Sequence, residues 1–540
     1  MNQCIYKDCN RPAYENNKCI FHCEKDNWFI EDKLSNRNWT KQTKIQEFWA
    51  VIRNDKMAKG DYDFNNYVFP YFEDFVSEDI EETTLDGNKI YKAKRTFNFW
   101  EANKNLIFDS KVTFLNSTFK GKVNFVCITF QDIANFEGAI FQELTNFSLA
   151  IVSRGIYKKT IFDKEIDFNA ACFQNGAIFK DAIFKHRAYI NNVDFQNIKG
   201  DTSFNGTTFQ DIVSFNGSQF HNETYFSGTI FQNIAVFSSL KNSDNLYFDF
   251  IKLQKESWID FSNFNLRELK LNTIQNFSSY VRLTNVKIAN KFELKNTNLG
   301  KSELNKFDLS ECKEILIQDS SFYGTIFNNV IWGKITEERF KGSRDIFRQL
   351  KYVLEQQGNI IDANRFYSLE MKEYKKELED KGWFSEYGQD KLVFLLHENI
   401  SNYSQTWVLP LVWFFVVGIS FTLLKIIHTT EFEPFKRWEI LLPILLVFAY
   451  VIGRGSTERI QRFKDAKLQF YFPSIVLILF FIFFVNNPLN EFANLINPFR
   501  SLTNDENYKG LEFLWFLHKS ITAFIIYQFI VTLRRQTRRK

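Results

Sequence analysis

The sequence has few of the residue types that most often form covalent cross-links or perform catalysis. It contains 7 cysteines and 6 histidines among 540 residues. Four of the cysteines lie within the first 23 residues, which is typical of local metal binding in a reducing compartment rather than of a disulfide framework. The chain also begins without a basic and then apolar leader, so we expect no cleaved signal peptide.

Recognised catalytic motifs and strong charge are lacking as well. The sequence has no glycine-rich phosphate loop, no nucleophile elbow and no paired His/carboxylate metalloprotease motif. The net charge is only +4, which excludes a strongly basic protein. The histidines are scattered, and only the first lies among other candidate ligands: His22, His186, His221, His397, His428 and His518. We therefore predict that the chain is not an enzyme, and its length predicts several domains.

Phenylalanine, by contrast, is abundant, with 63 copies, and it recurs from Phe108 to Phe237 on alternating steps of five and six residues. An eleven-residue period fits neither an amphipathic helix nor an alternating strand. It can mark a right-handed coiled coil, but the many Asn-Gly, Gly-Thr and β-branched segments are poor helix formers. The spacing therefore predicts a solenoid with Phe in its interior. The predicted core comprises Phe114, Phe119, Phe125, Phe130, Phe136, Phe141, Phe168, Phe173, Phe179, Phe184, Phe209, Phe215, Phe220, Phe226 and Phe231.

The residue two positions before each Phe is small or β-branched, as at Ser117, Ala134 and Thr207. It indicates a second inward position with little room. This double pattern resembles the pentapeptide-repeat family, in the variant that adds one residue to every second pentapeptide. The resemblance implies a right-handed quadrilateral β-helix with four short faces per coil. It implies about six coils in this stretch, stacked about 4.8 Å apart, with loops at the breaks 151–161 and 196–203.

The first 26 residues contain a candidate zinc site. The order C-x4-C-x9-C-x2-H places Cys4, Cys9, Cys19 and His22 as two ligand pairs across a turn-rich loop. Tetrahedral zinc takes four such ligands, and so short a segment has no core to hold it otherwise. We predict a structural zinc ion here, with Cys23 as an alternative to His22.

The ligand spacing, together with Arg11-Pro12-Ala13, resembles small bacterial treble-clef-like zinc knuckles. Such knuckles bind nucleic acid or protein, or close the end of a fold. The sequence does not choose among these roles.

Three further segments complete the soluble part. Residues 27–88 are predicted to be a mixed linker or cap, with an amphipathic helix at 41–52. The β-helix is predicted over 89–335, with degenerate coils after Phe237. A helical hairpin connector at 336–400 resembles a single tetratricopeptide-like pair. Because one hairpin is more often a packing element than a peptide receptor, we interpret it as an end cap.

Residues 401–540 are predicted to form an α-helical transmembrane domain with four helices. The apolar stretches approach the length needed to cross about 30 Å of hydrocarbon, and they are 407–427, 438–453, 470–485 and 511–533. A re-entrant hairpin is the alternative for the second. Basic residues crowd 454–467 and the C-terminal tail, so four spans place both, and the N-terminal region, in the cytoplasm. We expect a multi-pass protein of the bacterial inner (cytoplasmic) membrane with both termini cytoplasmic.

The last predicted span contains a possible polar site, His518 and Lys519. Lys519 either snorkels to the outer interface beside Trp515, or it faces the bundle interior, where it lines a path or pairs with Glu512.

The membrane part resembles the C-terminal part of bacterial membrane-anchored pentapeptide-repeat proteins. The matching text is 347–374, Ile400-Ser401-Asn402-Tyr403, and Tyr527-Gln528 with Arg534-Arg535. Some relatives there have a two-span potassium-channel module. This chain lacks the Thr-x-Gly-Tyr-Gly filter, so we expect no selective potassium channel, whereas a non-selective pore stays open.

These features leave three functions to compare. The first is a membrane-anchored, non-enzymatic scaffold that presents the β-helix to a cytoplasmic protein. The second is a membrane effector or ion-conducting pore gated by the soluble region. The third, DNA mimicry, requires an acidic solenoid, whereas residues 97–237 have 13 acidic and 12 basic side chains. We favour the first, with the lipid bilayer and a protein as partners and nucleic acid only through the knuckle. The sequence does not predict the oligomeric state.

Overall fold

The structure is a computed structural model in which the chain forms two compact units, Met1–Gln349 and Leu350–Lys540. The first unit contains a β-solenoid and its N-terminal cap, and the second unit is helical. The predicted β-solenoid followed by helices is thus confirmed. The residues that the structure describes are 3–6, 9–25, 28, 43–70, 80–83, 89–92, 97–98, 106–196, 200–221, 223–241, 243–254, 256–274, 280–299, 302–379, 381–382, 387–429 and 512–537.

The solenoid makes about ten turns, and parallel strands of successive turns pair in four ladders. Ladder 1 joins Val68–Phe69, Thr118–Phe119, Ile140–Phe141, Ile161–Phe162, Ile183–Phe184, Thr208–Phe209, Ile230–Phe231 and Lys252–Leu253. Ladder 2 joins Phe97–Asn98, Val123–Asn124, Thr145–Asn146, Ile166–Asp167, Ala188–Tyr189, Val213–Ser214, Ala235–Ser238, the starts of Trp258–Asn272 and Tyr280–Lys295, Glu303–Asn305 and Ile326–Asn328.

The other two ladders share some strands with each other. Ladder 3 joins Ile107–Phe108, the starts of Thr129–Asn135 and Ile151–Ile156, Cys172–Phe173, Asp194–Phe195 and Gln219–Phe220. Ladder 4 joins Val112–Thr113, the ends of Thr129–Asn135 and Ile151–Ile156, Ala177–Ile178, Thr202–Ser203, Glu223–Tyr225, Asn245–Asp249, the ends of Trp258–Asn272 and Tyr280–Lys295, Glu314–Gln318 and Phe340–Gly342. A separate antiparallel hairpin pairs Ile80–Thr83 with Lys89–Lys92.

Stacked aromatic rings fill the interior of the first turns. The rings of Phe119 and Phe141 lie 4.6 Å apart at 1°, and those of Phe179 and Phe204 lie 4.8 Å apart at 3°. These distances match the spacing between paired strands, because each ring lies on the ring of the turn before it. All fifteen phenylalanines of the predicted core are at most 1% exposed.

Left-handed corner residues recur with the eleven-residue period. Two opposite corners of each turn place one residue at positive φ, as at Asn116, Cys127, Gly138 and Leu149. Such a residue bends the chain sharply from one face of the coil to the next. These residues lie within the five-residue steps, as Asn116 does between Phe114 and Phe119, so the additional residue of each six-residue step lies at the intervening corner.

Buried hydroxyl groups at the small inward positions connect successive turns. The hydroxyl of Thr207 donates to the carbonyl oxygen of Phe179 at 2.7 Å, and that of Thr229 donates to Phe204 at 2.8 Å. Each donor follows a left-handed corner, and each acceptor belongs to the previous turn. These positions are small because the chain has just turned there, and they are polar because a carbonyl oxygen lies within reach.

After residue 258 the coil continues with a different interior. Its strands lengthen to 15 residues in Trp258–Asn272 and 16 residues in Tyr280–Lys295, and aliphatic side chains such as Leu271, Leu283 and Leu294 are fully buried. Ladder 4 extends furthest, to Phe340–Gly342. In the last turns the amide of Phe322 donates to the side chain of Gln349, in the helix that follows, at 3.1 Å.

Two details of the coil differ from the sequence prediction. The first turn lies before residue 89, because Val68–Phe69 already pairs with Thr118–Phe119 in ladder 1. The break at 151–161 is not a loop, because Val152 and Tyr157 occupy interior positions at 0% exposure. Tyr157 stacks in line with the neighbouring phenylalanines, 4.7 Å from the ring of Phe179.

The helices are short in the first unit and long in the second. Helix α1 spans Thr43–Val51, followed by a π-helical turn at Ile52–Lys56 and a 3-10 turn at Met57–Lys59. Helix α2 spans Arg344–Gln356, α3 Ile360–Glu379, α4 Gly388–Ser401, α5 Val408–Thr429 and α6 Glu512–Thr537.

Helices α5 and α6 pack antiparallel within the second unit. Trp407, just before α5, lies 6.4 Å from Phe529 near the end of α6, whereas Phe421 lies 4.5 Å from His518 near its start. Within the described residues, one stretch is long and apolar enough to cross a membrane, Trp515–Arg535, and the apolar part Val408–Thr422 is shorter. The predicted four-span domain is therefore supported at one span, and the predicted spans 438–453 and 470–485 lie outside the described residues.

Candidate metal centre

The structure brings the four predicted ligands together. The Nδ1 atom of His22 lies 3.4 Å from the Sγ atom of Cys4 and 3.2 Å from that of Cys19, and the Sγ atoms of Cys9 and Cys19 lie 3.6 Å apart. All four ligand atoms lie within 4.8 Å of one another. The predicted Cys3His cluster is confirmed.

These distances fit a tetrahedral metal ion. Zinc binds sulfur at about 2.3 Å and nitrogen at about 2.0–2.1 Å, so the edges of its ligand tetrahedron are about 3.5–3.8 Å long. A backbone hydrogen bond also stabilises one thiolate, because the amide of Cys19 donates to the Sγ atom of Cys4 at 3.1 Å. Cys23 is not part of the cluster, since its thiol donates to the carbonyl oxygen of Ile20 at 3.7 Å.

Burial sets the protonation of the ligands. It lowers the pKa of His22 to about 4, so the ring is neutral at pH 7 and has a lone pair for a metal. Burial raises the pKa of Cys19 to about 12. For Cys4 burial is also the largest influence, but hydrogen bonds from the backbone of Cys19 and Tyr6 outweigh it and lower the pKa. A divalent cation supplies the positive charge that favours all three thiolates.

Groups outside the cluster orient its histidine. The ring of Tyr6 stacks on the His22 ring at 4.2 Å, and the Tyr67 ring meets it edge-on at 5.6 Å. The backbone of Asn65 hydrogen-bonds the His22 imidazole, which raises its pKa against the larger effect of burial. Asn65 and Tyr67 belong to the first turn of the solenoid, so the solenoid fixes the orientation of a knuckle ligand.

A buried lysine lies beside the cluster. The Nζ atom of Lys25 donates to the carbonyl oxygen of Cys23 at 2.8 Å and lies 4.9 Å from the ring centre of Trp28. Its side chain is 0% exposed, and burial lowers its pKa to about 8. Sequence reasoning missed this residue, because a single lysine among polar neighbours gives no sign that it is enclosed by aromatic rings.

Two basic residues of the knuckle are already engaged. Arg11 pairs with Asp55 at 3.1 Å and lies 4.5 Å from the ring centre of Phe21, and Lys18 pairs with Glu24 at 3.3 Å. Nucleic-acid binding relies on basic groups that contact phosphates. In the described part of the knuckle, Arg11 and Lys18 thus already have acidic partners within the protein.

The possible polar site in α6 is divided between two environments. His518 is 0% exposed, and its Nε2 atom lies 3.3 Å from the hydroxyl of Thr522. Lys519 is half-buried, with its Nζ atom 5.0 Å from the ring centre of Trp515. The side chain of Glu512, its suggested partner, lies outside the described residues.

Comparisons with protein-family profiles, with curated proteins and with solved structures find no match to this chain.

Proposed function

We propose that the chain is a membrane-anchored, non-enzymatic scaffold. Its solenoid is a right-handed quadrilateral β-helix of the pentapeptide-repeat type, closed at its N-terminal end by a zinc knuckle, and it binds a protein partner in the cytoplasm. The observation that supports this proposal is the filled interior. Because stacked rings such as Phe125, Phe173 and Phe215 are 0% exposed, the outer faces of the coil are the surfaces that meet a partner.

One outer face suits an apolar partner. The outward positions of ladder 1 form a β-branched and mostly aliphatic stripe, called the aliphatic stripe below, in which each member pairs with the next and which ends at Lys252: Val68, Thr118, Ile140, Ile161, Ile183, Thr208 and Ile230. β-Branched side chains at this regular spacing match an extended, aliphatic surface on another protein.

One double variant and a matched control test the scaffold. Glutamate at Ile161 and Ile183 places charge in the aliphatic stripe, and we expect it to remove a protein that co-purifies with the full-length chain. The matched control is Val236→Glu, which lies on the outward side of ladder 2, and it should retain that protein. Loss of the protein from both variants, or from neither, would contradict binding by the stripe.

Zinc is the metal that the Cys3His donor set fits best. Full-length protein should contain about one zinc ion per chain. Cys9→Ala should lose it, whereas Cys23→Ala should keep it, because Cys23 lies outside the cluster. Equal zinc content in the two variants, measured by elemental analysis, would reject the site.

The membrane anchor rests on the candidate span in α6 and on its antiparallel partner α5. The side chain of Asn364 in α3 donates to the carbonyl oxygen of Arg535 at 2.9 Å, and the side chain of Gln405, before α5, donates to Asn364 at 2.6 Å. The start of α5 and the end of α6 thus lie at the same end of the helical unit. If both helices cross a membrane, the chain between them crosses it an even number of times, as the predicted spans 438–453 and 470–485 do.

The topology of the bacterial inner membrane can be tested directly. Reporter fusions after residue 540 and before residue 1 should both be cytoplasmic, in agreement with the basic C-terminal residues. Opposite locations for the two reporters would reject an even number of spans.

A second candidate function is an ion-conducting pore. It is favoured by polar side chains on the packed face of α6, where His518, Thr522, Gln528 and Thr532 are at most 6% exposed. Polar groups within membrane helices commonly mark an ion or proton path.

Ion flux into liposomes tests the pore. His518→Leu should abolish flux through a path lined by this face, and Lys519→Leu should reduce it if the ammonium group also faces the path. Ser520→Leu is the control, because Ser520 is exposed and donates to the carbonyl oxygen of Phe516. Absence of flux from the unmodified, correctly inserted protein would remove the pore and leave the scaffold.

A further inference from the structure

The first strand of ladder 1 is an edge strand whose outer side is occupied by the knuckle. Val68–Phe69 pairs on one side with Thr118–Phe119. The amide of Thr118 donates to the carbonyl oxygen of Tyr67 at 2.8 Å, and the amide of Lys120 donates to that of Phe69 at 3.1 Å. On the other side the amide of Val68 donates to the carbonyl oxygen of Phe21 at 2.8 Å. The knuckle therefore takes the place of one further strand.

Phe21 lies between two of the metal ligands, Cys19 and His22, in the sequence. Its ring stacks on the ring of Tyr67 at 4.3 Å and 12°, and the guanidinium group of Arg11 lies 4.5 Å from the centre of the Phe21 ring. A displacement of the ligand loop therefore displaces the group that covers the edge.

The coupling also acts in the opposite direction. The first turn supplies the backbone of Asn65, which hydrogen-bonds the His22 ring, and the Tyr67 ring, which meets it edge-on. Metal binding and edge covering thus depend on the same few contacts, so each must favour the other by the same factor.

We propose that the metal centre is a latch over the first β-edge of the solenoid, and that loss of the metal uncovers this edge for pairing with a second copy of the chain. The proposal rests on the zinc site proposed above. An uncovered edge strand presents unpaired backbone groups that readily pair with another strand. A second copy is the fitting occupant, because the same strand on another molecule forms a two-fold, self-complementary pair.

The aliphatic residue at this edge supports such pairing. Val68 is the first member of the aliphatic stripe, and its side chain is half-buried beside the buried Phe69. Two such edges bring apolar side chains together as well as backbone groups. A lysine at this position opposes pairing, because charged side chains on edge strands are a common protection against it.

The test uses the full-length chain in one detergent throughout. Cys9→Ala should lose the metal, speed hydrogen exchange of the Val68 amide by about tenfold or more, and produce a dimer in light scattering. Cys23→Ala should keep the metal, the slow exchange and the original association state. Adding Val68→Lys to Cys9→Ala should prevent the dimer without restoring the metal.

The reverse coupling gives an independent measurement. Tyr67→Leu removes the ring that stacks on Phe21 and contacts His22, and we expect it to weaken zinc binding by about tenfold, as changes beside metal ligands commonly do. An unchanged affinity would contradict the latch.

The outcomes separate this proposal from the zinc site itself. Unmodified protein without metal rejects the zinc site. Metal that is present and then lost in Cys9→Ala, with unchanged exchange at Val68 and unchanged association, rejects the latch and leaves the zinc site intact.

Discussion

The solenoid contains two regions that form the same coil with different interiors. In the turns up to Phe237, stacked phenylalanines fill the interior and most strands have two residues, whereas after Trp258 the interior is largely aliphatic and two strands have 15 and 16 residues. Left-handed corner residues nevertheless continue through both regions, as at Asn192 and Asn285. The comparison indicates that the corners maintain the coil, while the interior residues set how tightly it is filled.

The largest expected effect comes from a charge in the aromatic interior. Phe173→Asp buries a carboxylate among rings, with Phe195 stacked at 5.3 Å. Because no counter-charge lies in such an interior, we expect a loss of more than about 4–5 kcal/mol in the free energy of unfolding. Circular dichroism during thermal unfolding measures it, with the exposed neighbour Gln174→Asp as control. Identical melting curves would show that the ring is not part of the core.

A smaller loss in the free energy of unfolding is expected from alanine substitutions, which compare the two interiors at matched positions. Phe125 and Leu283 both lie in ladder 2 and both are 0% exposed. Phe125→Ala should cost about 3–5 kcal/mol and Leu283→Ala about 2–5 kcal/mol, with the phenylalanine at the higher end because its loss leaves the larger cavity. Denaturant unfolding of the full chain checks the order. A greater cost for Leu283→Ala would mean that the aromatic turns relax more readily than the aliphatic ones.

Hydroxyl hydrogen bonds between successive turns should contribute equally to the free energy of unfolding in the two regions. The hydroxyl of Thr207 donates to the carbonyl oxygen of Phe179 at 2.7 Å in the aromatic region. In the aliphatic region the hydroxyl of Thr297 lies 3.0 Å from the carbonyl oxygen of Leu271 and 2.8 Å from that of Lys295. Valine has nearly the same shape, so each Thr→Val change should cost about 0.5–1.5 kcal/mol in the free energy of unfolding by removing the hydroxyl hydrogen bond. Unequal costs, measured by denaturant unfolding, would indicate that the interior residue, rather than the corner, determines the hydrogen bond.

The smallest expected effect on the free energy of unfolding is at the corners. Leu149 has φ 57° in the aromatic region and Lys306 has φ 49° in the aliphatic one. Glycine accepts this conformation without steric cost. We expect Leu149→Gly and Lys306→Gly to change stability by less than about 1 kcal/mol, with relief of strain offset by the greater entropy of unfolded glycine. A loss of several kcal/mol in either would show that the side chain, rather than the backbone, is required at that corner.

The sequence predicted the aromatic region because one residue type repeats there at a fixed spacing. The corners themselves were not predicted, because their occupants share no chemistry: Asn116, Cys127, Leu149, Lys159 and Ala170 all adopt positive φ. Tyr157 was missed because the step before it departs from the repeat. Its hydroxyl is buried without a hydrogen-bond partner among the described residues, and burial raises its pKa.

The metal ligands were predicted because they lie close together in sequence, Cys4 and His22 being 18 residues apart. The residues that orient them were not, because Asn65 and Tyr67 belong to a distant segment and reach the knuckle only through the fold. In the helical unit, too, local sequence predicts one feature and tertiary packing determines another. A long apolar run identifies α6, whereas the burial of His518 and the exposure of its neighbours depend on the packing of α5.

A contact between the first turn and the next bears on the order in which the protein folds. The amide of Tyr67 donates to the hydroxyl of Ser117, a residue 50 positions later in the chain. At a synthesis rate of about 5–20 residues per second, that partner leaves the ribosome about 3–10 s after the first turn does. The knuckle has all four of its ligands within its own segment, so it can close at once around a metal ion. The knuckle can therefore bind its metal before the solenoid is complete, and the contacts of the first turn with His22 then form as Asn65 and Tyr67 follow.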